Sequence, residues 1–432
     1  MRTGNSIAAA IGTLIIATSA VQLANGFFTT FISLRVVSEG FEAGLAGLIL
    51  SSYFAGFTWG ESVRTGSSPG RPHSRLCLLR WPGCAATVMM PLKVDPYAWI
   101  ALRAVIGFGC AGIFVTTESW LNAKAAPEIR GRVFAIYMVG TFLALAAGQL
   151  LIGRIDVQSA GPFNAIVALF AFGLVLVSST RAEPPKVTPT AAPPYRELLR
   201  AAPIAVLGCI LSGLITGTFY ALVPAYMQST EISTETIAWF MFAAVVGGLV
   251  FQVPVGRLSD HFDRRRVLAA LGLGLAAFAV AIVFLPRSLA IVLPAAAILG
   301  GFMSTLYPVC VAHAHDRMPA DRVVAVSGAL ILISGIGSVL GPLIGTPLMI
   351  RLDIDGVFYL IAAAAALFAV ITILRSRVVE VLPCQERTFE VLTPQAATLA
   401  HDPGEAAKES EPAAMADESA GYGGGQSQSQ PQ

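Results

Sequence analysis

The stretch Gly256-Arg-Leu-Ser-Asp-His-Phe-Asp-Arg-Arg-Arg266 places four arginines and two aspartates between two long apolar runs. Charge is scarce elsewhere, since only 12% of the 432 residues are Asp, Glu, Lys or Arg and 55% are hydrophobic. The mean hydropathy of +0.71 is far above that of a soluble domain. Because both flanking runs are long enough to cross a bilayer, the charged stretch must lie at a membrane face.

Apolar runs of about 20 residues, the length that crosses the hydrocarbon core, recur along the whole chain. We predict twelve of them, beginning near residues 7, 43, 76, 98, 133, 162, 201, 236, 267, 289, 323 and 355. Such long runs differ from the short alternating segments of a membrane barrel. The first run continues from Ile7 to about Leu34, which is too long for a cleaved signal peptide. The sequence therefore predicts an all-α, multi-pass membrane protein.

Positive charges are distributed unevenly over the predicted loops. With the N-terminus placed inside, the inner loops carry sixteen Lys and Arg residues, and the outer loops carry only Arg35, Lys93, Arg154, Arg287 and Arg351. The positive-inside rule therefore predicts that both termini are cytoplasmic. We expect the chain to lie in the cell inner membrane.

A proline-rich polar break at residues 181–200 divides six predicted spans from six. Such a composition is typical of a linker. We predict an N-terminal six-helix half at 1–180, a cytoplasmic linker at 181–200 and a C-terminal six-helix half at 201–380. From about Val381 the composition turns to Pro, Ala, Ser, Gly, Gln and acidic residues. Residues 381–432 are therefore predicted to form a disordered cytoplasmic tail.

The two halves resemble repeats at an offset of 192 residues. Ala126–Arg130 overlays Met318–Arg322, each between the fourth and fifth spans of its half. At the same offset Phe27 and Phe28 overlay an aromatic pair in the seventh span, and Ala55 with Gly56 overlays two glycines in the eighth. Parallel six-helix repeats are a common architecture of secondary transporters.

Gly256, Asp260, Arg264 and Arg265, in this spacing, resemble the signature loop of the major facilitator superfamily. The resemblance extends over residues 7 to 377 and implies twelve transmembrane helices in two six-helix pseudo-repeats that work by alternating access. In the family this loop acts as a cytoplasmic gate, so these four residues are the candidate gate. A topology anchor alone is the alternative. Asp263 departs from the pattern, because glycine is common there.

The predicted fourth span holds two further candidates. Arg103-Ala-Val-Ile-Gly-Phe-Gly109 resembles a second superfamily motif, and a buried arginine marks a cavity, an ion pair or a substrate anion unless it snorkels. Glu118 lies 15 residues further, on nearly the same helix face, and is the candidate for proton coupling. An ion pair with an inner arginine such as Arg130 is the alternative. The string Glu118–Asn122 resembles a YcaD-like bacterial branch of the superfamily.

Polar side chains inside membrane helices normally face protein or a cavity. With Arg103, the candidates for a substrate cavity are Gln22, Asn25, Gln149, Tyr220, Gln252 and Tyr307. Hydrogen bonding between helices is the alternative. The six cysteines show no disulfide or metal spacing, and no phosphate-binding loop or catalytic dyad is found. We therefore expect no enzyme activity and no cofactor. The expected partners of a monomeric chain are a small-molecule substrate, the lipid bilayer and protons, without nucleic acid.

The first copy of the signature loop, expected near residue 64, is missing. No Asp occurs there, and the expected third span carries Arg80, Pro82 and Pro91, which oppose membrane insertion. This Arg-, Pro- and Gly-rich composition is typical of GC-rich DNA read out of frame. We hypothesise a compensated frameshift or sequencing error across roughly residues 59–91, with a degenerate third helix as the alternative. The chain is then either a transporter, a non-transporting membrane sensor or interaction protein, or an inactive remnant.

Overall fold

The computed structural model describes residues 2–65, 81–179, 195–286, 288–319, 322–353 and 355–376. In these ranges the chain forms thirteen α-helices and one short 3-10 helix, Leu151–Arg154. The α-helices are α1 (Arg2–Ser38), α2 (Ala43–Thr65), α3 (Trp81–Leu92), α4 (Pro96–Lys124), α5 (Pro127–Leu150), α6 (Gly161–Ser179), α7 (Tyr195–Ala201), α8 (Pro203–Ser229), α9 (Thr234–His261), α10 (Arg264–Phe284), α11 (Leu289–His315), α12 (Val323–Arg351) and α13 (Gly356–Ser376).

Ten of these helices are long and apolar enough to cross a membrane: α1, α4, α5, α6 and α8 to α13. The predicted all-α, multi-pass membrane fold is thereby confirmed. The second predicted span forms α2, a 23-residue helix that is rich in small residues. The third predicted span is represented by α3, which has 12 residues and contains Pro91. The remainder of that span, including Arg80, lies outside the described residues, as do residues 181–194 of the predicted linker and the whole predicted tail at 381–432. The other end of the predicted linker, residues 195–200, is helical and belongs to α7.

Helix ends follow local sequence signals. Asp263 stands just before α10, and its side chain accepts a hydrogen bond from the backbone N–H of Arg265 at 2.7 Å. Asp95 caps α4 in the same way, with its carboxylate 2.7 Å from the backbone nitrogen of Ala98. A short side-chain acceptor at this position satisfies an otherwise unpaired donor of the first turn. The aspartate that departs from the superfamily pattern therefore has a clear local role, because it starts α10.

Glycines let helices touch through their backbones in the first half. A Cβ on Gly56 of α2 would lie 1.9 Å from the carbonyl oxygen of Ala104 in α4. Conversely, a Cβ on Gly107 of α4 would lie 2.0 Å from the carbonyl oxygen of Tyr53 in α2. Contacts this short leave no room for any side chain. The two helices therefore cross at a fixed point, as small residues allow in membrane bundles.

The second half repeats these contacts in α9 and α11. A Cβ on Gly247 would lie 1.9 Å from the carbonyl oxygen of Ala297, and one on Gly300 would lie 2.0 Å from that of Ala244. The α9 positions follow their α2 counterparts by 191 residues, and the α11 positions follow those of α4 by 193. The sequence strings predict a single offset of 192 residues. In the structure the offset is 191 between α2 and α9 and 193 between α4 and α11.

Helices α1 and α5 meet in the same manner as α8 and α12. Each pair brings a glycine of one helix against a carbonyl oxygen of the other, at 2.2 to 2.5 Å from an added Cβ. The contacts follow the same two offsets: Gly26 with Leu145 and Gly148 with Leu23 in the first half, Gly217 with Ser338 and Gly341 with Leu214 in the second. Between the halves, α1 packs on α8, α2 on α12 and α5 on α9.

Candidate functional site

A cavity lies between the two halves, where α1, α2 and α5 face α8, α11 and α12. It holds about 930 Å³ of empty space, counting the part that is continuous with solvent. Five aromatic side chains line it: Tyr53, Phe54, Phe57, Phe142 and Tyr220. Six Ser and Thr side chains line it as well: Thr58, Thr141, Thr216, Ser304, Ser334 and Ser338. Apolar walls with a few polar groups are typical of a small-molecule site.

One end of the cavity is closed by contacts between the halves. We call it the Ser38 end, because α1 ends there, and we call the opposite end the Asp260 end. The Ser33 hydroxyl donates to the carbonyl oxygen of Ala221 at 2.6 Å. The amide of Gln228 donates to the Ser38 hydroxyl at 3.1 Å. These two hydrogen bonds join α1 to α8 directly.

The second contact at the Ser38 end joins α2 to α12. A Cβ on Gly47 would lie 2.8 Å from the hydroxyl oxygen of Thr346 and 3.2 Å from its Cβ. The cavity lining extends from this side towards the Asp260 end, reaching Glu61, four residues before α2 ends. The cavity therefore lies between a closed end and the end that carries the charged loop.

Two of the predicted cavity residues, Gln22 and Tyr220, line the cavity. Asn25 is buried directly behind it. Its amide donates to the side-chain oxygen of Gln22 at 3.4 Å, and its own oxygen accepts from the Tyr53 hydroxyl at 2.9 Å. Gln22 and Asn25 therefore hold Tyr53 in place at the cavity wall. In the structure Gln22 lines the cavity, whereas Asn25 makes a hydrogen bond between α1 and α2.

The other predicted cavity residues lie deeper in the protein. The oxygen of Gln149 accepts from the Thr30 hydroxyl at 2.6 Å, which joins α5 to α1. The amide of Gln252 donates to the carbonyl oxygen of Ser304 at 3.4 Å, behind a residue that lines the cavity. Tyr307 is only 2% exposed, in α11. The described cavity lining includes none of these three residues.

Arg103 is buried to 1% exposure between two aromatic rings. Its guanidinium carbon lies 4.9 Å from the ring centres of both Phe28 and Tyr53. Two of its nitrogens, Nε and Nη1, have no hydrogen-bond partner among the described residues. Ring stacking therefore replaces the counter-ion that a buried cation otherwise needs. Arg103 is not part of the described cavity lining, but it contacts Tyr53, which is.

Replacing Arg103 with lysine is expected to lower the thermal stability of the purified protein more than replacing it with methionine. Lysine keeps the charge but is more strongly hydrated and has no planar group that can stack between Phe28 and Tyr53. Methionine fills a similar volume without a buried charge. Unfolding followed by fluorescence on heating measures both variants. A lysine variant as stable as the unaltered protein would contradict the stacking role.

Glu118 is fully buried and accepts a hydrogen bond from the Tyr137 hydroxyl of α5 at 3.2 Å. Arg130 is the alternative partner that the sequence suggests for Glu118. Its Nε has no hydrogen-bond partner among the described residues. Tyr307 lies within electrostatic range of both Glu118 and Glu61.

The charged loop joins three helices of the second half at the Asp260 end. Arg264 is 8% exposed and lies 3.4 Å from Asp260, at the end of α9, and 3.1 Å from Asp316, directly after α11. Arg265 is also buried, at 5% exposure. Gly256 lies within α9, one turn before Asp260. Arg264 is therefore the centre of an ion-pair cluster, whereas Arg257, Asp263 and Arg266 of the same loop are exposed.

Glu61 is a cavity residue that the sequence reasoning did not select. It lines the cavity and is 2% exposed. It lies in the stretch 59–91, which the composition assigns to an out-of-frame reading. The available signal was a carboxylate two residues after Trp59, at the end of the aromatic part of a predicted span.

Several solved structures have a similar fold, and those named here are of membrane transporters. A mutant of the nucleoside transporter NupG matches with a TM-score of 0.71, covering 84% of this chain and 99% of that one at 13% identity. A D-xylose–proton symporter matches with a TM-score of 0.63, covering 84% and 97% at 16% identity. A bacterial homologue of the human lysosomal transporter Spinster, in an inward-facing and occupied conformation, matches with a TM-score of 0.66. The match covers 86% of this chain and 97% of that one at 16% identity. At these identities the likeness concerns the fold.

The model of the Major Facilitator Superfamily matches residues 14–244 and 205–392. The chain belongs to the major facilitator superfamily, so it is a membrane transporter and not an enzyme. Among its relatives, the uncharacterised MFS-type transporter YcaD of Escherichia fergusonii is 31% identical over 369 residues, which cover 83% of this chain and 93% of that protein. YcaD of Escherichia coli O7:K1 is 30% identical over 356 residues, which cover 81% of this chain and 91% of that protein. The resemblance to the YcaD-like branch is confirmed.

Proposed function

We propose that the chain is a secondary active transporter that moves a small molecule across the bacterial inner membrane by alternating access. Its twelve spans are the ten apolar helices together with α2 and the segment that contains α3. The paired glycine contacts at offsets of 191 and 193 support two six-helix pseudo-repeats. The excess of Lys and Arg on the Asp260 side supports cytoplasmic termini. We expect the chain to act as a monomer, because the cavity is complete within one chain.

The observation that carries this proposal is the cavity between the halves, which the contacts described above close at the Ser38 end. Under the positive-inside rule the Ser38 end faces the outside, and the charged loop faces the cytoplasm. This arrangement corresponds to a state that is closed to the outside. Rocking of one half against the other would open the Ser33–Ala221 and Ser38–Gln228 hydrogen bonds and expose the cavity to the opposite side.

We propose Glu118 as a site of proton coupling. It is an acidic side chain at membrane depth, fully buried, and such groups are typical of proton relays in transporters. The Tyr137 hydroxyl donates to it, and Tyr307 of the other half lies in electrostatic range. A change of charge at Glu118 therefore acts on both halves of the protein. That is the property a coupling residue needs.

We propose that Gly256, Asp260, Arg264 and Arg265 form a gate element at the cytoplasmic face. The ion pairs of Arg264 with Asp260 and Asp316 fix the ends of α9, α10 and α11 relative to one another. Because these helices then move as one body, the charged loop transmits their motion to the cytoplasmic opening of the cavity.

Uptake into vesicles tests the proposal. A screen of small molecules by thermal shift on the purified chain selects ligands, because a ligand that binds the folded state raises its unfolding temperature. We expect a selected ligand to accumulate in vesicles that carry the protein when a proton gradient is imposed, and to lose this accumulation when a protonophore removes the gradient. Binding without movement across the membrane would contradict transport. It would favour a sensor or an inactive remnant, which the short α3 with its internal Pro91 also suggests.

A further inference from the structure

We propose that the cavity opens sideways into the cytoplasmic leaflet of the membrane, between α2 and α12, and admits the apolar chain of an amphiphilic molecule. This inference rests on the proposed transport function and names the route and the class of the substrate. It starts from a groove on the surface of the bundle, which holds about 790 Å³, counting the part that is open to the surroundings. Helices α2 and α12 form its walls. Their side chains Trp59 and Ile336 are 65% and 50% exposed there.

The groove lies at membrane depth. On α12 it extends from Leu332 to Leu340, the middle third of a helix of 29 residues. At about 1.5 Å per residue these positions lie about 13 to 26 Å from the start of α12, which is at the Asp260 end. Lipid acyl chains surround a membrane protein at this depth. An acyl chain is therefore the occupant that the groove would take.

Thr58 of α2 lies between the groove and the cavity, because it lines both of them. On the facing helix, Gly335 lines the cavity, and the next residue, Ile336, lines the groove. A Cβ on Gly335 would lie 2.2 Å from the hydroxyl oxygen of Thr58 and 2.9 Å from its methyl carbon. The two helices therefore touch at this point, and the wall between groove and cavity is one side chain thick.

The contact at Thr58 is one that can open. The Thr58 hydroxyl donates to the carbonyl oxygen of Phe54 in its own helix, at 2.8 Å. Its contact with Gly335 is therefore a van der Waals contact, unlike the hydrogen bonds that join the halves at the Ser38 end. Because Thr58 belongs to the first half and Gly335 to the second, rocking of the halves separates them. The groove and the cavity then become continuous.

The side chains along this route suit an amphiphile. Inside Thr58 the cavity wall carries the rings of Phe54 and Phe57 and apolar side chains of α11 and α12, which can take up an apolar chain. Towards the Asp260 end the groove carries Trp59 and Tyr195. Such aromatic side chains are typical of the level of the lipid headgroups. A molecule with its polar group at that level would direct its chain towards Thr58.

Photolabelling from an acyl chain tests the proposal. A phosphatidylcholine with a diazirine at the end of one acyl chain is mixed into lipid nanodiscs that carry the purified full chain. After irradiation, mass spectrometry locates the labelled residues. Thr216 and Tyr220 report on the cavity, because both line it and are the partly exposed residues of the otherwise buried stretch 211–227. We expect label on Thr216 and Tyr220 as well as on Ile336 in the groove.

Two substitutions change the route in opposite directions. Val339→Trp fills the groove that Val339 lines, and should lower the labelling of Thr216 and Tyr220 several-fold. Thr58→Ala removes the atoms that touch Gly335, and should raise it. Val250→Trp is the matched control for the first variant. It adds the same ring on α9, where Val250 is exposed and outside the groove, and should leave the labelling unchanged.

Absence of label from Thr216 and Tyr220, in both the unaltered chain and Thr58→Ala, would overturn the inference. Equal labelling of these residues in Val339→Trp and Val250→Trp would also overturn it. The experiment needs neither a transported substrate nor an ion gradient. A chain that is labelled as expected but fails the uptake experiment therefore contradicts the transport function and not the lateral opening.

Discussion

Gly107→Ala is expected to destabilise the protein severely, by about 3 kcal/mol or more, the upper range for overpacking a tight core. The added methyl group would lie 2.0 Å from the carbonyl oxygen of Tyr53 and 2.9 Å from the backbone nitrogen of Phe57. Both are backbone atoms, so no rotation of a side chain relieves the clash. Helices α2 and α4 must separate, which also displaces two aromatic rings of the cavity.

Gly112→Ala, in the same helix, is the matched control. No atom lies within 4 Å of the position that its Cβ would occupy. The substitution adds the same methyl group and reduces backbone freedom, so stability should stay the same or rise by about 0.5–1 kcal/mol. Thermal unfolding and the yield of monodisperse protein measure both variants. Equal stability of Gly107→Ala and Gly112→Ala would contradict backbone contact between α2 and α4.

The charged loop shows how much of the fold the sequence determines. Its position between apolar runs predicts a membrane face and a helix boundary, and the structure ends α9 at His261 and starts α10 at Arg264. Local physics suffices here, because a hydrocarbon core excludes charge and Asp263 caps the following helix. The pairing of Arg264 with Asp316 was not predictable. It depends on the approach of α11, which no local pattern records.

The candidate site was predictable only in part, because polarity within a span does not tell a cavity residue from a residue bonded between helices. Gln22 reaches the cavity, whereas Gln149, another buried amide, bonds to Thr30. Whether a polar side chain faces the cavity or a neighbouring helix depends on the rotation of its helix about the helix axis. It also depends on the glycines that set the distance between helices. The hydroxyl and aromatic lining, such as Thr216 and Phe142, carries no sequence signal that separates it from ordinary membrane helices.

The sequence predicts the structure of the region after α2 least accurately. Helix α2 continues beyond Trp59 and ends at Thr65, so it extends into the stretch assigned to an out-of-frame reading. The other end of that stretch forms α3. Trp99 of α4 donates from its ring nitrogen to the carbonyl oxygens of Met90 and Lys93, at 3.0 Å each. The frameshift hypothesis stays a prediction about the encoding DNA.

A disulfide across the Ser38 end is expected to stop transport completely. In Gly47→Cys with Thr346→Cys, the new Cβ on α2 lies 3.2 Å from the Cβ on α12, close to the range of about 3.5–4.5 Å that a disulfide needs. A shift of a few tenths of an ångström therefore permits the bond. Since it joins the two halves, it holds the cavity closed to the outside until it is reduced.

Labelling of Thr216→Cys, which lines the cavity, reports which side has access. The variants are made in a chain whose native cysteines are replaced by alanine: Cys77, Cys84, Cys110, Cys209, Cys310 and Cys384. A membrane-impermeant maleimide is applied to right-side-out and to inside-out vesicles. Before oxidation, we expect the reporter to react from both sides. After the disulfide forms, it should react from the cytoplasmic side only, and reduction should restore reaction from the outside. Labelling from the outside that persists with the disulfide in place, or that never occurs in either state, would contradict alternating access.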